Sequence, residues 1–310
     1  MIGEIFALLG AFSVGSAGVA VRRGMRNTLD NGVFLTISIG TVVFLILVGV
    51  LSTGDQLPPL TLMGLVLFVL AGLLTSFMGR SLHFAAIRTI GPSRATAFRA
   101  SSPAITVLLA FMFLSERFTP VQFVGAISII GGVILLSRET VGRTDLEVAT
   151  DSANPSGVPG IRARGSLLGV LYGVLAATSF GVGHYLRKIA LQEVPSPLWG
   201  LMVGTTSAWL ALVIHARLTR TLGEICKYNF NLHAPPWFFI LGGILTTAGQ
   251  TLVFFSIHYT AVSTAMVLGS SDPLATLFIS RVFLGREEPL NWRVILCSGT
   301  VCLGIILMMV

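Results

Sequence analysis

Charge is what this chain has least of: 11% of its 310 residues are Asp, Glu, Lys or Arg, against roughly 25% in ordinary globular domains. With 54% of residues hydrophobic, there is too little polar surface to clothe soluble domains, and the composition reads as an integral membrane protein. Cysteine is scarce as well. Cys226, Cys297 and Cys302 are odd in number, and the last two lie in an apolar run without C-x-x-C spacing, which excludes a disulfide framework or a metal knuckle and leaves them as small core residues. No nucleophile elbow, H-E-x-x-H, Walker loop or glycine-rich dinucleotide turn stands in a suitable context. Neither a metal nor a cofactor is expected, and ATP-driven transport by this chain alone is disfavoured. The net charge of +7 would point a soluble chain toward nucleic acid. Here the basic residues sit between apolar runs, where they anchor helices at lipid headgroups, so no nucleic-acid partner is expected. The amino-terminal stretch has no basic n-region, carries Glu4 and is longer than a signal peptide's apolar core, so it is expected to stay as a helix. No lipidation box or sorting tail is visible.

What is present is a succession of apolar runs. Crossing the hydrocarbon core takes about 20 apolar residues per helix, and ten candidates lie at 2–21, 33–51, 61–86, 94–114, 120–137, 166–186, 196–216, 237–258, 262–284 and 291–310. The alternation a membrane β-barrel needs is absent. The expected fold is therefore all-α and integral to the membrane, with ten transmembrane helices. A polar stretch rich in Gly, Pro and Ser, 138–165, divides two blocks, 1–137 and 166–310. A shorter polar stretch ends at Pro235 and Pro236 before Trp237, and Trp199 and Trp292 likewise sit at helix ends as interfacial anchors.

The two blocks repeat one another. Gly79, Leu82, Phe84, Ile87, Ser93, Ala95, Ser101, Pro103, Thr106, Phe113 and Leu114 align at constant spacing with Gly249, Leu252, Phe254, Ile257, Ser263, Ala265, Ser271, Pro273, Thr276, Phe283 and Leu284. A small insertion at Arg286-Glu287 then shifts the register, so that Glu116 meets Glu288 and Gly132 meets Gly304. Upstream, Ser13, Gly15 and Arg22 match Ser179, Gly181 and Lys188. Each copy thus holds five helices. An odd number makes the second copy enter the bilayer from the opposite side, so the copies are inverted repeats, the arrangement that underlies alternating access.

The apolar helix with a central proline followed by Leu-small-Glu, SSPAITVLLAFMFLSERFTP, recurs less regularly as SDPLATLFISRVFLGREEPL. With the glycine-bearing helices that open each copy, this resembles the drug/metabolite transporter superfamily, specifically its EamA-type ten-helix members, over nearly the whole chain. The insertion before Glu288 leaves open whether Glu287 or Glu288 stands for Glu116. The resemblance implies a cavity between the repeats, lined mainly by helices one, three, four, six, eight and nine, with cytoplasmic termini. Charge argues the other way. Loops after odd helices hold Arg22, Arg23, Arg26, Arg88, Arg94, Arg138, Arg143, Arg162, Arg164, Arg217, Arg220, Lys227, Arg286 and Arg293, whereas loops after even helices hold Arg117, Arg187 and Lys188. The positive-inside rule puts both termini outside, in what reads as the inner membrane of a prokaryote.

Charges within the spans are the sharper signal, because each costs roughly 2.5–3.5 kcal/mol on insertion scales and faces a polar interior. Arg80, with His83 one turn on, lies in the third run; Arg99 lies one turn before Pro103; Asp272 precedes Pro273. Both prolines are expected to kink mid-span helices, freeing the carbonyls of Arg99 and Gly269 near Ser101, Ser102, Ser270 and Ser271. A packing kink and a substrate-lining role both remain open for them. His184 and Gln250 fall on runs where the family places its cavity. The expected substrate site is Arg80, His83, Arg99, Ser102, His184, Gln250, Ser271 and Asp272. Arginine's planar fork suits carboxylate and phosphate, and Asp272 is the candidate for proton coupling. Glu4, Glu116 and Glu288 read as caps or gates, and His258 as a surface histidine.

The sequence therefore reads as a secondary transporter of a small anionic or zwitterionic metabolite (amino acid, organic acid or phosphorylated compound), proton-coupled or exchanging. A translocase for a phosphate-bearing lipid is the alternative, with a lateral opening between helices. A membrane enzyme or sensor ranks last and requires His83, His184 and Asp272 within hydrogen-bond reach of one another. Partners are the substrate, membrane lipids and a second copy in a homodimer, and glycine runs such as GAISIIGG read as small-residue helix contacts.

Overall fold

The structure is a computed structural model that describes residues 2–28, 31–52, 58–114, 119–121, 123–125, 127–135, 159–229, 236–259, 268, 271–284 and 292–309. Among these residues there is helix and no strand. In chain order the helices are α1 (Ile2–Gly24), α2 (Val33–Ser52), α3 (Leu62–Gly72), α4 (Arg80–Ile90), α5 (Pro92–Arg99) and α6 (Ser102–Leu114), then α7 (Phe123–Leu135). They continue as α8 (Pro159–Glu193), α9 (Pro197–Leu218), α10 (Leu222–Asn229), α11 (Trp237–Tyr259), α12 (Asp272–Phe283) and α13 (Trp292–Met309).

Among the described residues, five helical stretches are long and apolar enough to cross a membrane: Ile2–Gly24, Val33–Val50, Leu62–Ile90, Leu167–Glu193 and Pro197–Leu218. Shorter apolar helices are Phe123–Leu135, Trp237–Val253 and Trp292–Gly304. Their outward faces are apolar, as a lipid-facing surface requires: Ile5, Leu9 and Phe12 on α1, Val42 and Ile46 on α2, and Phe278 and Val282 on α12 are all exposed. Trp237 and Trp292 are exposed at helix starts, and the Trp199 indole donates to the Pro58 carbonyl at 3.0 Å.

Packing follows a cross-over pattern. α1 runs along α11 and also touches α12; α8 runs along α3 and α4 and also touches α6. α2 packs on α11 and α9, α3 on α9, and α12 on α5. Phe68, Phe98, Phe239, Ile37 and Ile87 are fully buried where these helices meet. Two buried hydroxyls inside the spans are satisfied by nearby carbonyls, Ser13 to Leu245 at 2.8 Å and Thr75 to Ala71 at 2.8 Å, which lets them sit at depth at little cost.

The run 61–86 lies in one helical stretch, Leu62–Ile90, which turns π-helical over Leu73–Gly79, a wider turn often found at functional sites. Several other expectations are corrected. The run 94–114 is two helices. α4 ends because Gly91 takes φ 86°, which glycine alone adopts freely, and Pro92 opens α5. α5 stops at Arg99 and α6 begins at Ser102, so Pro103 stands in the first turn of a new helix, and Pro273 likewise in that of α12. A proline is unstrained there because that turn's N–H has no intrahelical acceptor. α8 starts at Pro159, inside the stretch expected to be a linker, since Arg162 and Arg164 follow a proline suited to the first turn. Arg187 and Lys188, expected in a loop, lie within that same helix. The polar stretch before Pro235 contains α10. Glu116, Glu287, Glu288, Gly269 and Ser270, and the side chains of Pro103 and His258, lie outside the described residues.

Candidate functional site

On α8, Phe180, His184 and Arg187 recur at i, i+4 and i+7, which puts them on one helical face. That face meets the π-helical segment and α4. Gly183 is packed on Thr75, and a Cβ on Gly79 would stand 3.3 Å from the Phe180 ring. Arg80, the first residue after the π-helical segment, and His83 one turn on are buried at 6% and 7% exposure.

The Phe180 ring is the hub. His184 stacks on it at 6.1 Å and 20°, and His83 meets it edge-on at 6.4 Å and 79°. The Arg99 guanidinium carbon lies 5.8 Å from its centroid, within cation–π range. Arg99 also donates from Nη2 to Oδ2 of Asp272. The pair joins the last turn of α5 to the first residue of α12, where the helix dipoles favour a cation and an anion respectively. Asp272 is buried and Arg99 partly open.

Arg187 completes the cluster. α3 and α9 cross at Gly72 and Gly204, and the Arg187 Nη2 lies 3.9 Å from where a Cβ on Gly204 would stand, so the guanidinium sits beside this glycine crossing. Arg80 is within electrostatic reach of Arg99 and Arg187. Three guanidiniums therefore share this interior with one carboxylate, which makes it a place for anions.

Of the expected site residues, Arg80, His83, Arg99, His184 and Asp272 come together around Phe180. Ser102 is buried and its carbonyl accepts from Thr106 Oγ1. Ser271 spends its hydroxyl on the Leu268 carbonyl at 2.6 Å. Gln250 is half-buried on α11; none of the contacts that define the hub includes it. Sequence reasoning missed Phe180 and Arg187. Their i, i+4, i+7 spacing with His184 was the available signal, and Arg187 escaped because the helix was ended one residue before it. Among the described residues no hydrogen bond joins His83, His184 and Asp272 to one another, and the Phe180 ring touches both histidines. No cluster of His, Cys, Asp or Glu able to hold a metal occurs among them.

Relatives place this arrangement. A stretch of 79 residues, 25% of this chain and 16% of that protein, is 38% identical to Crt homolog 2 of Dictyostelium discoideum, so the match spans well under two thirds of that relative. Over 141 residues, 45% of this chain and 94% of that protein, it is 29% identical to an uncharacterized protein of Methanocaldococcus jannaschii. A solved crystal structure, 16% identical, shares the fold at a TM-score of 0.56 over 99% of this chain and 96% of its own. The sequence profile of the EamA-like transporter family matches residues 1–138 and 167–310, and the chain belongs to that family of membrane transporters.

Proposed function

We propose that the chain is a secondary transporter that moves a small anionic or zwitterionic metabolite by alternating access between two inverted five-helix repeats. The observation that carries this reading is the Arg99–Asp272 pair. It ties α5 in the first copy to α12 in the second, inside the apolar runs 94–114 and 262–284 that correspond to one another, where an unneeded charge is costly.

Ten spans follow if α3 with α4 counts as one and α5 with α6 as one, with α12 in the ninth. The packing supports the duplication, because exchanging the copies carries the contacts of α1 with α11 and α12 into those of α8 with α3, α4 and α6. So does the Methanocaldococcus relative, which aligns over nearly all its own length to less than half of this chain. Inverted halves make inward-open and outward-open states near-equal in energy. A substrate anion that competes with Asp272 for Arg99 would loosen the tie between halves, and a proton on Asp272 would do the same, which is how coupling would enter.

The test is uptake into liposomes carrying purified protein. Preloaded with unlabelled amino acids, organic acids and phosphate esters, they should accumulate a labelled member of the transported class, and Arg99→Ala should abolish it. No uptake above empty liposomes for any class, or full uptake by the Arg99 variant, would sink the reading.

A further inference from the structure

The charge balance of the cluster is incomplete in a specific way. Asp272 answers Arg99. Among the described residues no other carboxylate lies in the cluster: Glu4 is in the first turn of α1, Glu193 ends α8 and Glu224 is in α10. Arg80 is 6% exposed and Arg187 is half-buried, and neither has an ion-pair partner among the described residues. Two polar atoms beside them, Arg187 Nε and His83 Nδ1, are buried without a hydrogen-bond partner there. Guanidinium does not shed its proton in proteins, so burial cannot be relieved by neutralisation. An uncompensated buried charge is costly, and buried polar groups without partners are rare enough to call for one.

The chain builds toward this spot from two sides. The π-helical segment ends at Gly79 and hands the chain directly to Arg80, while the Arg187 guanidinium lies beside the crossing of Gly72 and Gly204.

We infer that Arg80 and Arg187 form an anion subsite, with His83 beside it, and that the substrate brings two negative charges to it on one compact group. A phosphate monoester, at about −1.5 to −2 near neutral pH, is the class that fits. It offers oxygens enough to accept from both guanidiniums, and it restores neutrality to three arginines and one aspartate. A zwitterion brings no net charge and leaves both arginines uncompensated. The inference rests on the transporter reading above and narrows its substrate class. A soluble phosphate ester and a phospholipid headgroup share this chemistry, and the probes below separate them.

The experiment is thermal unfolding of the purified full chain at constant ionic strength with inorganic phosphate, dioctanoyl phosphatidic acid, succinate, acetate or glycine. A ligand that prefers the folded state raises the midpoint. Phosphate should raise it by about 2–4 °C, and acetate and glycine should leave it in place. A response to phosphatidic acid without one to phosphate assigns the subsite to a lipid headgroup; a response to succinate equal to phosphate widens the class to dianions at large. Arg187→Gln and Arg80→Gln should each remove the response, Arg187→Lys should keep part of it, and Arg220→Gln at the α9–α10 turn should keep all of it. The lysine variant covers the case in which glutamine is not tolerated by the fold. A phosphate response undiminished in Arg187→Gln, a glycine response equal to that of phosphate, or no response to any dianion overturns the inference. Counterflow of labelled glycine in liposomes together with no dianion response would end the inference and leave the transporter standing; no counterflow of any solute would end both.

Discussion

Gly15 of α1 lies against the main chain of Asp272: a methyl group at position 15 would stand 3.0 Å from the Asp272 carbonyl oxygen and 2.9 Å from the Thr276 amide nitrogen. Gly181 of α8 has the same relation to Ser102, with a methyl 2.9 Å from the Ser102 carbonyl and 2.6 Å from Ile105 Cβ. Gly15 corresponds to Gly181, and Asp272 to Ser102, in the two copies. The start of each proline-bearing helix is therefore seated on a glycine of the helix that opens the other copy.

Gly15→Ala must push α12 away, and Asp272 moves with it. Overpacking of this kind costs about 1–3 kcal/mol, so the melting midpoint should fall and uptake should fall further, because the Arg99 pair is displaced. Gly299→Ala, where a methyl meets nothing within 4 Å, should leave both unchanged. A Gly15 variant as active and as stable as the parent would show that α1 and α12 are not held at this distance.

The Gly72–Gly204 crossing predicts an asymmetry between two identical substitutions. A methyl on Gly72 would stand 2.3 Å from the Gly204 Cα, which is main chain and cannot rotate aside. A methyl on Gly204 meets the Gly72 Cα at 3.3 Å, a tight contact that a small adjustment relieves. Gly72→Ala should therefore lose about 1–3 kcal/mol, and Gly204→Ala clearly less. Because a methyl at Gly204 meets Arg187 Nη2 only at 3.9 Å, an ordinary contact, the Gly204 variant should keep its anion response. Equal loss in the two variants would contradict the packing.

The Arg99–Asp272 pair is best read through a double-mutant cycle. Asp272→Asn leaves three guanidiniums with no carboxylate, and Arg99→Gln leaves Asp272 buried without a cation. Each single change should cost about 3 kcal/mol, the lower end for a broken buried pair, since Arg99 is partly open. The double variant should recover part of this, with a coupling of about 0.5–3 kcal/mol between the sites. Additive losses in chemical unfolding would mean that the two charges do not depend on one another.

Much of the fold was legible in the sequence because membrane spans announce themselves by length and apolarity. The starts and ends of α2, α9, α11 and α13 fall within a few residues of their apolar runs. What was not legible has local causes. The π-helical segment Leu73–Gly79 leaves no mark in composition, since one extra residue in a turn changes no side chain. The break at Ala100–Ser101 was read as a kink because proline signals an interrupted helix without saying whether it bends or restarts. Arg80, Arg99 and Asp272 stood out as charges in apolar runs. Arg187 did not, because near a span's end a basic residue reads as a headgroup anchor, and only the glycine crossing of α3 and α9 reveals its neighbours.

Moving Arg187 and Lys188 from a loop into α8 sharpens the orientation as well. Arg22 donates from Nη1 to the Ile87 carbonyl at 3.1 Å and also to the Arg88 carbonyl. Arg88 reaches the Thr28 carbonyl at 3.2 Å, and Arg23 the Phe283 carbonyl at 3.2 Å. The ends of α1, α4 and α12 are thus gathered into one basic rim. Basic residues collect on the cytoplasmic face of short loops, so this rim should face the cytoplasm. α13 follows α12 away from that rim, so the carboxy-terminal end of α13 should lie outside. A tag after Val310 should be cut by protease added to spheroplasts, and a cysteine replacing Arg220 should react with a membrane-impermeant reagent only after the membrane is opened. A protected tag with a freely reactive cysteine would reverse the orientation, and would mean that the rim held by Arg22 and Arg23 seals the outer face instead.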